Sequence, residues 1–106
     1  MGNTDLKAAL AVTLALTSGV AAAQDARALQ VRALAATCAN CHGSEGRPPQ
    51  GSALPPLAGI PAERFIERMQ SFKSGAPGPT VMHQIAKGFN DAQIQQMAAY
   101  FAARQL

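Results

Sequence analysis

Apolar positions recur at helical spacing in four stretches of the chain, and segments rich in Pro and Gly separate them. In the first stretch Ala28, Val31, Leu34, Ala35 and Cys38 share a face, which predicts a helix from about Asp25 to Cys38 with the acid at its N-terminus. The second opens at Pro61, suited to a first helical position, and stops by Gly75. Its apolar face is Phe65, Ile66, Met69 and Phe72, with Glu63, Arg64, Glu67, Arg68 and Lys73 mostly opposite. The third is short, capped by Thr80 and closed by Gly88. The last begins at Asn90 or Asp91, where Asn90 and Gln93 have the form of a capping box, and it buries Ile94, Met97, Ala98 and Phe101. Tyr100 lies beside that stripe, with its hydroxyl within reach of the surface. No segment alternates with strand period, so the expected fold is all-α, with about four helices.

The remaining segments resist a helical reading or precede the fold. Gly43–Gly59 holds eight Gly and Pro residues and is expected to be a loop without helix. A loop of that length implies a purpose. Gly75–Pro79 breaks the chain again. At the start, Met1–Lys7 is short and polar, Ala8–Leu16 is an unbroken run of Ala, Leu and Val with one Thr, and Ala21, Ala22 and Ala23 are small. That order is the pattern of an export signal, cut between Ala23 and Gln24, which leaves residues 24–106 as one domain. Ala8–Ala23 falls short of the roughly 20 apolar residues of a bilayer span, so no stable membrane insertion is expected after the cut.

Chemistry enters at Cys38-Ala39-Asn40-Cys41-His42. Two thiols three positions apart, followed at once by an imidazole, form the attachment signature of a c-type haem: each thiol closes a thioether onto a vinyl group and His42 reaches the iron. Three other readings compete. A thioredoxin-like pair shares the spacing but wants a βαβ surrounding. A zinc site needs four ligands, and beyond these three only His83 is at hand. A disulfide in an exported protein is the third.

A second axial ligand is expected from the short third helix. Met82 follows the loop at Gly75–Pro79, and a thioether opposite an imidazole gives the Met/His ligation of electron-carrying cytochromes. His83 would give bis-histidine ligation, but adjacent helical residues point about 100° apart, so only one faces the iron. Met82 is the expected ligand, His83 an exposed side chain near the haem rim, and Met69 a core residue.

Composition and charge narrow the partners. The chain has nine basic and six acidic residues, a net charge of +3, with no run of like charge and no basic stripe interleaved with aromatics. Nucleic-acid binding therefore has no support. Aromatic residues make up 5% of the chain and Trp is absent, so a domain this small has little with which to build a core. A flat, largely apolar haem would supply the interior, and the haem-free chain is expected to fold poorly.

From the helix leading into CANCH to the closing Ala98-Ala99-Tyr100-Phe101, the sequence resembles a class I cytochrome c. The resemblance implies that haem attachment is completed outside the cytoplasm, in the bacterial periplasm. It also implies that the Pro-x-Leu segment after the motif serves the haem, with the Pro55 carbonyl accepting from His42 and Leu57 touching the ring. The same segment also reads as an ordinary rigid loop before a helix. Ser74-Gly75, Thr80-Val81-Met82, Ile85-Ala86-Lys87-Gly88-Phe89 and Met97-Ala98-Ala99-Tyr100-Phe101 resemble the cytochrome subunit of flavocytochrome c sulfide dehydrogenase. Some members of that group carry two haem domains, whereas this sequence has one CxxCH. The resemblance implies a non-catalytic haem subunit that takes single electrons from a sulfide-oxidising flavoprotein. The alternative is a free soluble carrier between periplasmic redox enzymes and a terminal oxidase or reaction centre.

Overall fold

Alanine and leucine favour the helix strongly, and between residues 3 and 36 no proline interrupts them. The computed structural model describes residues 2–76, 78 and 80–106, with the backbone alone for residues 10–18. Helix α1 spans Asn3–Ala36, so it starts far upstream of the expected Asp25, which lies inside the helix rather than at its N-terminus. It also ends two residues before Cys38. Cys38 N–H donates to the Ala35 carbonyl at 3.1 Å, and the Thr37 hydroxyl donates to the Leu34 carbonyl at 2.7 Å, which closes the last turn.

The chain divides into two units, Met1–Gln30 and Val31–Leu106. In the first, the described side chains of residues 2–9 and 19–30 are exposed. Among the described residues no helix is long and apolar enough to cross a membrane.

The second unit carries the core. After the end of α1 come α2 (Ala39–His42), a 3-10 turn (Ser44–Gly46), α3 (Ala62–Lys73), α4 (Val81–Lys87) and α5 (Asp91–Ala102), with no strand among the described residues. The 3-10 turn corrects the expectation of a helix-free segment from Gly43 to Gly59. Helix α3 starts one residue later than expected: Pro61 is its N-cap, extended at ψ 136°, and its carbonyl accepts from Phe65 N–H at 3.1 Å. Two bonds wrap its C-terminus in a Schellman motif, Ala76 N–H to the Ser71 carbonyl at 3.0 Å and Gly75 N–H to the Phe72 carbonyl at 3.1 Å. Of the expected break at Gly75–Pro79, Pro77 and Pro79 lie outside the described residues.

Helices α4 and α5 begin as their sequences dictate. The Thr80 hydroxyl accepts from Met82 N–H at 2.9 Å. Asn90 and Gln93 complete a reciprocal capping box, each bond 2.9 Å long. The buried cluster joins Ala35 of α1, Phe65 and Met69 of α3, Ala86 of α4, and Ile94, Met97, Ala98 and Phe101 of α5. Phe65 and Phe101 meet at 5.6 Å between ring centroids, so α3 and α5 form the centre of the core.

Candidate haem site

Helix α2 is a single turn, and it carries most of the chemistry. Cys38 is its N-cap, and His42 N–H donates to the Cys38 carbonyl at 2.9 Å, so the two thiols and the imidazole share one rigid turn. Both cysteines are free thiols, Cys38 half-buried and Cys41 exposed. Burial pushes the Cys38 thiol above its ordinary pKa, against a smaller opposing effect of the Thr37 hydroxyl. A reactive redox pair needs the opposite, a thiol whose pKa is lowered. Among the described residues no group of three or more His, Cys, Asp and Glu side chains is placed to hold a metal ion, so a tetrahedral zinc site lacks its ligands there.

The loop after α2 turns back on itself and brings a carbonyl to His42. Gly46 makes the turn possible: at φ +74° it accepts from Leu57 N–H at 2.9 Å and from Ala58 N–H at 3.0 Å. A Cβ at Gly46 would come within 2.8 Å of Ala58 N and 3.0 Å of the Phe101 ring. With the loop pinned this way, His42 Nδ1 lies 2.8 Å from the Pro55 carbonyl oxygen. A carbonyl only accepts, so the imidazole donates from Nδ1 and keeps its lone pair on Nε2, the tautomer a metal-binding histidine requires.

The donor set fits a covalently held haem. Cys38, Leu57 and Met82 all pack against the one buried cluster. The first thiol of the pair and the Met82 thioether thus border one apolar region, and α2 carries Cys41 and His42 in the same turn that Cys38 caps. Met69 is 5% exposed within the cluster, which marks it as packing. His83 departs from expectation. It is half-buried rather than exposed, with its ring centroid 6.0 Å from that of Phe72 and its Nε2 buried without a hydrogen-bond partner among the described residues.

The sequence model of the cytochrome c family matches residues 28–104. This chain is a member of the cytochrome c family. Cytochromes of this family bind haem c covalently, and Cys38 and Cys41 stand in the spacing that attachment uses. The chain is 34% identical over 101 residues to cytochrome c4 of Pseudomonas aeruginosa, covering 95% of this chain and 49% of that protein. It is 35% identical over 68 residues to the cytochrome subunit of sulfide dehydrogenase of Chlorobaculum tepidum, covering 64% of this chain and 60% of that one. To the thiosulfate dehydrogenase electron acceptor of Thiomonas intermedia it is 34% identical over 68 residues, 64% of this chain and 31% of that one. The chain thus spans about half of the first relative's length and less than two thirds of the other two.

A further cluster sits beside the site and was not foreseen. Glu45, three residues after His42, accepts from the Tyr100 hydroxyl and pairs with Arg32 Nη2 at 3.6 Å and Arg104 Nε at 3.4 Å. The Arg104 contact is an ion pair without hydrogen-bond alignment. Its guanidinium instead stacks over the Tyr100 ring, 4.1 Å from the centroid. Tyr100 is half-buried, and its hydroxyl ends on the Glu45 carboxylate. Contacts so distant in sequence leave no local signal.

Proposed function

We propose that residues 24–106 form a periplasmic carrier of single electrons, released from an export signal at residues 1–23. Cys38 and Cys41 would hold haem c through thioethers, and His42 and Met82 would ligate its iron. The bound haem supplies a one-electron ferrous–ferric couple. The chain's own residues do the rest. The Pro55 carbonyl fixes the tautomer and plane of His42, Leu57 covers the ring, and the apolar cluster excludes water from the thioether side. With His42 and Met82 both engaged by the iron, no site would be left for a substrate bond, and on this reading the protein is not an enzyme by itself. The observation that carries this reading is the 2.8 Å contact between His42 Nδ1 and the Pro55 carbonyl, which commits one ring nitrogen and frees the other for a metal.

The partner we propose is a sulfide-oxidising flavoprotein, with this chain as its electron-accepting haem subunit. The support is the likeness to a cytochrome subunit of sulfide dehydrogenase together with the motif string from Ser74 to Phe101. Purification from the native periplasm tests it. A stable one-to-one complex with a flavoprotein, in which sulfide reduces the haem, is the expected result. A lone monomer that sulfide alone leaves oxidised would instead identify a free carrier between redox enzymes.

A further inference from the structure

Met82 and His83 are neighbours on α4, and both are half-buried. The ring of His83 packs against Phe72, tilted by 49°, and its Nε2 is buried without a hydrogen-bond partner among the described residues. A surface histidine turns such a nitrogen to water, because leaving it unpaired forfeits its hydration. A buried, unpartnered ring nitrogen one residue from a metal-ligating thioether is instead a ligand held in waiting. We infer that His83 is a reserve axial ligand, which takes the haem iron when the Met82 sulfur leaves it. The inference rests on the reading of Met82 as the resting ligand.

Helix α4 is built to permit the exchange. It is seven residues long and packs on α3 through small or half-buried side chains, Ala86 being its one fully buried residue and Met82 lying at the edge of the core. Val81 is 69% and Ile85 39% exposed, so that side of the helix gives up little when it turns. Neighbouring side chains are about 100° apart, so a rotation of that order carries Nε2 toward the place of the sulfur. Phe72 holds the imidazole aside until then. The exchange is a substitution at iron: one Fe–S bond breaks, one Fe–N bond forms from Nε2, and the imidazole binds as the tautomer with its proton on Nδ1. No electron moves. A nitrogen in place of the thioether lowers the reduction potential, so a chain in this state no longer accepts electrons from the same donor.

The test compares ferric, haem-loaded full-length protein with Met82→Ala, Met82→Leu, His83→Ala and the two double variants. Met82→Leu keeps the side-chain volume, so a cavity is not the sole perturbation. Wild type and His83→Ala are expected to share the weak thioether-to-iron band at the red edge of the visible. In at least one single Met82 variant the iron should stay low-spin, with a nitrogen-type electron paramagnetic resonance signal, and its double variant should turn high-spin. If His83 occupies the iron in nine of ten such molecules, cyanide binds about tenfold more weakly than to the double variant. Met82 variants that are high-spin and bind cyanide as their doubles do would overturn the reserve role while leaving Met82 as the resting ligand. A wild type without the thioether band whose iron turns high-spin in His83→Ala would overturn both readings, because His83 would then be the resting ligand.

Discussion

Tyr100 donates its hydroxyl hydrogen to the carboxylate of Glu45, which lies 55 residues earlier and three past His42. Arg32 near the end of α1 and Arg104 beyond α5 pair with the same carboxylate. Glu45 sits at φ 57° and is the one non-glycine residue with positive φ among the described residues, a conformation that tertiary contacts must hold. The cluster therefore fastens the haem-bearing turn to the two ends of the domain. Tyr100→Phe and Glu45→Gln should each lower the thermal midpoint of the haem-loaded protein. Because both act on one contact, Tyr100→Phe by removing the donor and Glu45→Gln by removing the acceptor's charge, the double variant should lose less than the two singles added. Strict additivity would show that the contact contributes nothing.

The same pair sets a pH window. The Tyr100 hydrogen bond, with help from Arg104, Arg32 and Arg47, holds the Glu45 carboxyl below its ordinary range. A lowered carboxyl favours the folded state above its ordinary pKa, and that contribution disappears as pH falls through the lowered value. Burial first, and then the bond to Glu45, push the Tyr100 phenol above its ordinary value of 10.0. A raised phenol favours the folded state below that value, and the contribution is lost as pH rises through the raised one. Stability measured against pH should therefore fall less steeply at both extremes in the Glu45→Gln/Tyr100→Phe variant than in wild type.

Gly46→Ala should be among the most damaging single substitutions in the loop. The position combines φ +74° with backbone 2.8 Å from an added Cβ, so the turn that delivers the Pro55 carbonyl to His42 must open. Strain at such a position costs on the order of 1–3 kcal/mol before the clash is counted. Chemical denaturation would measure the loss. If Gly46→Ala matches Gly51→Ala, at a glycine also of positive φ but with open space around its Cβ, the close approach carries no energy.

The parts of this fold that are readable from sequence are those decided within a few residues. The Asn90–Gln93 capping box, the Thr80 cap and the α5 stripe are local, and the structure has them. In the full chain α1 runs on upstream of Asp25, because no proline before it breaks the helix. The burial of His83 and the engagement of Tyr100 are set by Phe72 and Glu45, whose positions depend on the whole fold. The spacing of Cys38 and Cys41 is legible because haem attachment fixes it, whatever the surrounding chain does.

Two methionines separate packing from ligation. Met69 is 5% exposed in the cluster that joins α3 and α5, so Met69→Ala should destabilise the protein by about 2–5 kcal/mol and leave the thioether-to-iron band in place. Met82 is half-buried at the edge of that cluster, and its replacement should abolish the band. Unfolding curves and visible spectra of the two variants check both statements. A band lost in Met69→Ala and kept in Met82→Ala would exchange their roles.

Removing the haem should leave too little interior to fold around. Among the described residues nine apolar ones are buried, four of them alanines, and Phe65, Met69, Ile94, Met97 and Phe101 are the large members. Domains of this size are marginal even with fuller cores, and a haem bound only by the native state adds its own binding free energy to stability. Cys38→Ala/Cys41→Ala, which removes both attachment points, should therefore give a colourless chain that keeps part of its helix signal in far-ultraviolet circular dichroism. Its near-ultraviolet signal and its cooperative melting transition should be absent. A sharp transition at the midpoint of the haem-loaded protein would mean that the side chains alone suffice.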